Sequence, residues 1–441
     1  MPFALTKSRL IILGLAALVI VFFILLFMGV IPGLNTRPPA APQVKLNVWG
    51  VFDSNQVYDT LDASYRSHSP NVQITYRQFD PSTYETDLIN ALAAGNGPDV
   101  FMFQNTWLPK HADIITPVSE TQLPYVKFRD AFPQVISEEF APNKIIYASP
   151  LYLDTLAMFY NKDIFDKKGI AIPPKTWTEF IATVQKLKEI DVKTNKIIKA
   201  GAAIGGSNQS INRGTDLLTL IMLQSGTAMV DKDFIRARFA EAVSSGKQPG
   251  LDSLNFYTSF ANPSSPTYTW NENLHYSIDN FAEGNAAIIF NYSHQIDLLK
   301  KKNPFLNFGV APVPQIQDTP QPITYANYWG LAVSNKSKNP DWAWDFIAYV
   351  TMSDATAKKY FEITRRPPAL KTLIGENINE PDFGVFAKQS LIARSWPEID
   401  NNAVDNSLSN MIKSVITGQL SALDSIKKAE DEITQLMQKN R

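Results

Sequence analysis

The segment Lys45–Phe52 (KLNVWGVF) begins the folded part of the chain and starts an alternation of strands and helices. Its composition predicts a strand. A helix is expected over Gln56–Ser67, a strand over Val72–Phe79, a second helix from Asp80-Pro81 and a short buried strand over Pro98–Phe103. The order β-α-β-α-β predicts an α/β domain with a mostly parallel sheet.

Further elements are expected downstream. The patterns predict β structure over Ile146–Tyr160 broken at Pro150, a helix over Trp177–Ile190 capped by Thr176, a helix over Asp216–Gln224, a strand over Tyr328–Val333, a helix from Asn339-Pro340 through Tyr349, and two helices within Val404–Gln438. No repeat of 20–50 residues is visible, which argues against a solenoid.

The N-terminus carries the clearest local signal. Residues 10–34 contain no charged side chain, and nearly every residue up to Val30 is apolar. About 20 such residues cross a bilayer as a helix. Because Lys7 and Arg9 precede this run, residues 1–9 should be cytoplasmic and the rest of the chain outside. We therefore expect a single-pass anchor at residues 10–34 and a proline-rich linker at residues 35–43; a signal peptide cleaved near Ala40 and Ala41 is the alternative.

Composition excludes several classes of function. The formal net charge is −1, so charge gives no reason to expect a nucleic acid partner. The absence of cysteine excludes disulfides, thiolate metal sites, a thiol nucleophile and a lipid-bearing cysteine. No phosphate loop, zinc motif or serine-nucleophile elbow occurs, and the four histidines have no metal-ligand spacing. We expect no cofactor, no metal and no enzyme activity.

Six ordered segments carry a resemblance to a known family. They are Ala91–Val100 (ALAAGNGPDV) with Trp107, Pro150–Thr155 (PLYLDT) with Tyr160–Asp163 and Phe165, Pro173–Phe180 (PPKTWTEF), Phe281–Ala287 (FAEGNAA), Gly330–Ser334 (GLAVS) with Ser337–Pro340, and Arg366–Ala369 (RPPA). Together they resemble the extracellular solute-binding proteins of family 1, which include the maltose-binding proteins and serve ABC transporters. The resemblance covers roughly residues 45–440.

The resemblance implies a two-lobed, type II periplasmic-binding-protein fold with a hinge and a ligand cleft. It implies an N-terminal lobe of residues 44–149 and 313–365 and a C-terminal lobe of residues 150–312 and 366–441. The chain is expected to cross between the lobes near Tyr147–Leu151, Gly309–Val313 and Thr364–Pro368. Closure of the lobes around ligand is the implied motion.

Candidate ligand contacts follow from the chemistry of sugars and from this resemblance. Sugars present apolar C–H faces and a rim of hydroxyls, which aromatic rings and polar side chains recognise. The candidates are Trp49, Asp53, Tyr84, Asn105, Trp107, Tyr152, Asp154, Tyr292, Tyr328, Trp329, Arg366 and Trp396.

For several candidates a structural role competes with ligand contact. Trp49, Tyr84 and Trp329 each fit a place in the core as well as the cleft. Asp154 either contacts ligand or forms hydrogen bonds across the hinge. Arg366 either bonds hydroxyls or clamps a carboxylate at the hinge.

The sequence thus predicts a monomeric, membrane-tethered, extracytoplasmic binding protein that delivers a carbohydrate, most simply an oligosaccharide, to the permease of an ABC importer. Three alternatives stay open: a binder of a polyamine or another small solute, a sensor subunit, and a carbohydrate-active enzyme. The enzyme would use carboxylates such as Asp53 and Asp154 as acid and base. A polyamine would require carboxylates such as Asp53, Asp80 and Asp154 in the cleft.

Overall fold

A computed structural model of the chain describes residues 6–28 and 43–439, in two units, Met1–Val44 and Lys45–Arg441. The first unit contains helix α1, Lys7–Phe27. In the described part of the chain, it is the one helix long and apolar enough to cross a membrane. This confirms the expected apolar helix as far as Phe27. The end of the predicted span and nearly all of the linker fall at residues 29–42, outside the described residues.

The second unit contains the remaining helices. They are α2 (Asn55–His68), α3 (Tyr84–Ala93), α4 (Leu108–His111), α5 (Tyr125–Ala131), α6 (Gln134–Phe140), α7 (Lys162–Lys167), α8 (Trp177–Leu187), α9 (Gly214–Gln224), α10 (Pro249–Ser259), α11 (Ser277–Ala282), α12 (Gln295–Lys302), α13 (Pro340–Met352), α14 (Asp354–Thr364), α15 (Lys371–Asn377), α16 (Gly384–Ser390), α17 (Asn401–Ile416) and α18 (Ala422–Lys439), with 3-10 turns at Ala112–Ile114 and Pro142–Lys144.

The strands of this unit form four sheets. They are β1 (Val44–Gly50), β2 (Val72–Gln78), β3 (Val100–Gln104), β4 (Ala148–Pro150), β5 (Asp154–Thr155), β6 (Ala157–Asn161), β7 (Glu189–Ile190), β8 (Ile197–Lys199), β9 (Ile288–Asn291), β10 (Phe308–Ala311), β11 (Thr324–Asn327), β12 (Trp329–Val333) and β13 (Ala393–Arg394).

The N-terminal lobe is built on a five-stranded sheet in the order β2-β1-β3-β12-β4. Strands β1 and β3 are parallel, as the β-α-β-α-β pattern predicts. The prediction of a mostly parallel sheet is nevertheless wrong. Strand β12, which comes much later in the chain than β3 and β4, pairs antiparallel with both of them. At Gly330 a Cβ atom would lie 2.4 Å from the carbonyl oxygen of Ser149, so this close strand approach requires glycine.

The C-terminal lobe is built on the antiparallel sheet β10-β6-β9, whose two faces are both covered. Leu156 and Met158 belong to one buried hydrophobic cluster, whereas Ala157 and Phe159 belong to another. Successive side chains of a strand point to opposite faces, so the central strand β6 joins two cores. The short sheet β13-β11-β5 lies in the same lobe.

The strand pairing shows where the chain leaves one sheet for another. Residues 151–153 connect β4 of the five-stranded sheet to β5, and Tyr328 connects β11 to β12 of the five-stranded sheet. At the crossing expected over Gly309–Val313, β10 pairs with β6 as far as Ala311, and Gln315 pairs with Lys175 and Trp177.

The predicted helices and strands differ from the observed ones mainly in where they begin and end. Thr176 caps α8 as predicted and accepts a hydrogen bond from the backbone N–H of Glu179. That helix stops at Leu187, because residues 189–190 pair with β8 as a strand. The helix expected from Asp80 begins only at Tyr84, since the Asp80 carboxylate accepts hydrogen bonds from Ser82 within a turn.

Candidate functional site

Two cavities lie between the lobes. The first, the polar cavity, has a volume of about 180 Å3. Its N-terminal-lobe wall follows the carboxyl end of β3, and its other wall comes from the start of α9, from β11 and from the start of α17. It is lined by Gln104, Asn105, Thr106, Arg213, Thr215, Asp216, Thr219, Tyr325, Ala326, Asn327, Glu398, Asn401, Asn402, Val404, Asp405 and Leu408.

Among the described residues, Arg213 is the one cationic side chain that lines the polar cavity. It precedes α9 in a left-handed backbone conformation with φ 63°, which is uncommon outside glycine. The guanidinium lies 5.2 Å from the ring centroid of Tyr292, and its Nη1 atom lies 3.8 Å from Oδ2 of Asp216. Its Nε atom is buried without a hydrogen-bond partner among the described residues. Arg213 can therefore donate hydrogen bonds to a guest in this cavity.

Three carboxylates share the polar cavity with Arg213: Asp216, Glu398 and Asp405. Asp216 accepts a 2.6 Å hydrogen bond from the Tyr292 hydroxyl, and Glu398 accepts one of 2.9 Å from Tyr325. Burial, with the neighbouring charges of Asp216 and Asp405, raises the pKa of Glu398 to about 8. Burial likewise raises the pKa of Asp216, although Arg213 opposes the shift. The cavity thus offers closely spaced acceptors and a cationic donor, which suits a ligand rich in hydroxyls.

The second cavity, the aromatic cavity, is larger, at about 510 Å3. Most of the side chains around it are apolar. It is lined by Asn105, Leu108, Pro109, Ala112, Glu138, Glu139, Pro142, Asn143, Tyr147, Phe234, Ser395, Trp396 and Pro397. Trp396 is only 3% exposed, and its indole N–H has no hydrogen-bond partner among the described residues. Buried indole N–H groups usually have an acceptor.

Asn105 lines both cavities and lies in a hydrogen-bonded group with Glu139. The Asn105 side-chain amide donates to Glu139 and to the Ser395 hydroxyl, each at 3.0 Å. Glu139 also accepts from Ser395 and, at 2.7 Å, from Tyr328. Burial raises the pKa of Glu139 to about 7, although the hydrogen bonds from Ser395, Tyr328 and Asn105 oppose the shift.

Polar contacts bridge the two lobes beside these cavities. The Thr106 hydroxyl donates to Oδ1 of Asn401 at 2.8 Å. Lys110 lies 3.3 Å from the Asp400 carboxylate, and Asn105 reaches Ser395 as described above. Thr106 and Lys110 follow β3 in the N-terminal lobe, whereas Asn401 and Asp400 lie at the start of α17 in the C-terminal lobe. These contacts, the interlobe bridge, hold the lobes together.

Most of the other candidates from the sequence are buried in contacts with the protein itself. Tyr84 is fully buried and donates a 3.0 Å hydrogen bond to the Met102 carbonyl oxygen, so its side chain lies in the core. Trp107 and Trp329 pack edge to face with their ring centroids 5.0 Å apart. Trp49 is partly exposed and packs against Phe79 at 4.3 Å.

The two carboxylates of the enzyme alternative are engaged with protein groups. Asp53 is 2% exposed and pairs with Arg366. Asp154 is 6% exposed and accepts hydrogen bonds from the backbone N–H and hydroxyl of Ser293. Burial, which outweighs the hydrogen bonds from Ser293, raises the pKa of Asp154 to about 6. Neither carboxylate lines the polar cavity or the aromatic cavity.

Of the predicted candidates, Asn105 and Trp396 line the two cavities. Tyr292 and Tyr328 lie one hydrogen bond away, on Asp216 and Glu139 respectively. Sequence reasoning missed the lining residues Arg213, Asp216, Phe234, Glu398 and Asp405. One local signal was available for the first two: polar residues at the start of the otherwise apolar helix α9.

Comparison with known proteins places this architecture in a family. The profile described as "Bacterial extracellular solute-binding protein" matches residues 57–357. The chain belongs to this family. Among curated relatives of this solute-binding protein, the maltotriose-binding protein of Pyrococcus abyssi is 25% identical over 417 residues, which cover 89% of this chain and 83% of that protein. The multiple sugar-binding protein of Streptococcus mutans is 24% identical over 247 residues, covering 56% of each chain.

Solved structures share the two-lobed fold. The sugar-binding protein MalE of Xanthomonas citri matches with a TM-score of 0.75 and 19% identity, over 90% of this chain and 98% of that one. The cyclic α-maltosyl-1,6-maltose binding protein of Arthrobacter globiformis matches with a TM-score of 0.74 and 20% identity, over 90% of this chain and all of that one. The expected two-lobed α/β fold is therefore confirmed, and the relatives named here are binding proteins and not enzymes.

Proposed function

We propose that this chain is the extracytoplasmic receptor of an ABC importer and binds a carbohydrate, most simply an oligosaccharide, between its lobes. One observation carries the proposal. The polar cavity and the aromatic cavity adjoin at Asn105, between lobes whose relatives include a maltotriose-binding and a multiple sugar-binding protein. Hydrogen-bonding side chains beside aromatic rings suit the hydroxyl rim and the apolar face of a sugar.

The mode of binding follows from the passages between the lobes. We propose that residues 44–150 and 329–364 form the N-terminal lobe and that residues 154–327 and 370–439 form the C-terminal lobe. Three short connections join them, so rotation about a few backbone torsions opens the cleft. Ligand entry would replace the interlobe bridge with contacts through the ligand, and closure would present a single surface to the permease.

The N-terminal unit has the length and composition of a membrane anchor. Helix α1 supplies the 20 apolar-rich residues Lys7–Leu26, and Lys7 and Arg9 at its start favour a cytoplasmic N-terminus. We propose that the uncleaved helix anchors a monomeric receptor in the membrane. Mass spectrometry of the membrane-extracted protein should then recover peptides from residues 10–27. A mature N-terminus near Ala41 would show a cleaved signal instead.

The first test is a thermal-shift screen of residues 43–441 against mono- and oligosaccharides, polyamines and phosphate esters. A ligand at 100 times its dissociation constant adds about 2.7 kcal/mol of stability, which gives a clear rise in melting temperature. We expect one glycan class to raise it, and chromatography to recover that glycan intact. Cleavage of the glycan would establish an enzyme, and shifts with phosphate esters alone would remove the carbohydrate proposal.

A second candidate function is the binding of a polyamine. Asp216, Asp405 and Glu398 surround the one arginine that lines the polar cavity among the described residues, and a bound protonated amine would favour the ionised form of Glu398 and offset the charge of the carboxylates. The carboxylates expected for this alternative, Asp53, Asp80 and Asp154, do not line either cavity, and those of the polar cavity would bind the amine instead. Stabilisation by spermidine, without stabilisation by any glycan in the same screen, would favour this function.

A further inference from the structure

We propose that Phe234 and Trp396 form a second, stacking subsite in the aromatic cavity, which takes a sugar ring beyond the one held in the polar cavity. This inference rests on the proposed function. It assigns a ligand contact to Phe234 and predicts that the preferred ligand has at least two rings.

Phe234 is presented to the cleft by a short and well-fixed loop. The side chain is 51% exposed, and its backbone adopts φ 53°, a left-handed conformation that bulky residues rarely adopt. Asp231 fixes the loop by accepting hydrogen bonds on its carboxylate from the backbone N–H groups of Ile235 and Arg236. Val230 and Ala237 close the base of the loop with a β-bridge. A strained backbone that holds a large apolar ring in solvent points to a functional contact.

The ring faces a cavity with a suitable partner. Phe234 and Trp396 come from separate segments of the C-terminal lobe, and both line the aromatic cavity. Across the cavity, Asn143 of the N-terminal lobe also adopts a left-handed backbone, with φ 54°. The indole N–H of Trp396 has no acceptor among the described residues. A pyranose ring would supply apolar faces for the aromatic rings and a hydroxyl oxygen for this N–H group.

The two cavities share one lining residue. Asn105 lines both, and its amide group donates to Ser395 and Glu139 at the boundary. A ligand that fills both cavities must therefore pass Asn105, with one ring among the carboxylates and Arg213 and the next beside Trp396. A monosaccharide in the polar cavity would leave the aromatic cavity open.

The test compares ligand lengths on matched variants. Phe234→Ala removes the ring, Phe234→Tyr retains it, and Phe305→Ala removes a phenyl ring that is 93% exposed and does not line the aromatic cavity. Trp396→Phe removes the indole N–H and leaves an aromatic ring. Isothermal titration calorimetry uses the full chain in a detergent without a sugar headgroup, with glucose, maltose, maltotriose, mannobiose and raffinose as ligands. Thermal unfolding of each variant reports on folding.

We expect Phe234→Ala to weaken binding of the best di- or trisaccharide by about 3- to 10-fold, the range for one aromatic contact. Trp396→Phe should weaken it as well, Phe234→Tyr should restore most of the affinity that Phe234→Ala loses, and Phe305→Ala should match the wild type. Monosaccharide binding, where detected, should not change. Glycan binding that is unaltered by Phe234→Ala, or weakened equally at every length, would overturn the stacking subsite and leave the proposed function intact. If the wild type binds none of these glycans, both proposals fall.

Discussion

The Nε atom of Arg366 lies 3.2 Å from Oδ1 of Asp53, and this ion pair joins residues 313 positions apart in the chain. The other Asp53 oxygen accepts a 2.9 Å hydrogen bond from Tyr360. The guanidinium also lies 4.9 Å from the ring centroid of Tyr152, which lies between β4 and β5. Arg366 therefore clamps a hinge carboxylate. This pairing corresponds to one of the two roles that the sequence left open for Arg366, and the contact with ligand hydroxyls stays a prediction.

Loss of Arg366 should destabilise the protein strongly. The Asp53 side chain is 1% exposed, so Arg366→Ala leaves a buried carboxylate without its cation. The expected loss in free energy of unfolding is about 3–5 kcal/mol, measured by urea denaturation. Arg129→Ala is the control, because the Arg129 pair with Asp130 is solvent-exposed and contributes about 0–1 kcal/mol. Equal effects of the two substitutions would contradict the clamp.

Stability should fall as the pH rises from about 5 to 8. In the folded state the pKa of Glu398 is about 8, above the ordinary glutamate value, so the folded protein retains a proton that the unfolded chain has released. The stabilising effect of that proton is complete below the unfolded pKa and is lost as the pH passes the folded pKa. Each such group contributes a slope of up to about 1.4 kcal/mol per pH unit.

Glu398→Gln should reduce this slope and raise the melting temperature at pH 8 relative to the wild type. In this variant Glu139, whose pKa is about 7, should still make stability fall as the pH rises, but its contribution should end at a lower pH than that of Glu398. Denaturation midpoints measured at intervals from pH 5 to 9 separate the two contributions. An unchanged profile in Glu398→Gln would show that this carboxyl group titrates normally.

Arg213 should matter for ligand binding. Its guanidinium makes a 3.8 Å pair with Asp216 and a cation–π contact with Tyr292, and its buried Nε atom has no partner among the described residues. In the proposed function, Arg213→Met removes charged hydrogen bonds to ligand of about 1.5–3 kcal/mol, or roughly 10- to 150-fold in affinity. Calorimetric titration with the glycan found by the screen measures this. A melting temperature that collapses together with affinity would indicate a structural role instead.

Weakening the interlobe bridge should open the unliganded protein. Thr106→Ala combined with Lys110→Met removes one hydrogen bond and one ion pair across the cleft. Each interaction contributes about 0.5–1.5 kcal/mol, enough to shift an open–closed equilibrium several-fold. Small-angle scattering without ligand should give a larger radius of gyration than the wild type. Lys300→Met is the control, because the pair of Lys300 with Asp382 lies within the C-terminal lobe and is exposed.

The sequence by itself determined the class of the protein and most of its elements. The apolar run that became α1, the strand pattern of β1, β2 and β3, the Thr176 cap and the helix from Pro340 are local signals, because propensity, capping and periodicity act within a few residues. The resemblance carried by six short segments gave the two-lobed fold, which the comparisons confirm.

Only the tertiary structure decided the site. Asn105 and Trp396 were identified because they lie near recognisable segments, whereas Arg213, Asp216, Glu398 and Asp405 come together from segments about 180 residues apart that carry no shared motif. Asp53 and Asp154 are candidate ligand contacts from the sequence, whereas in the structure they are buried against Arg366 and Ser293. Strand partners and cavity walls depend on contacts between distant residues, and local composition does not specify those contacts.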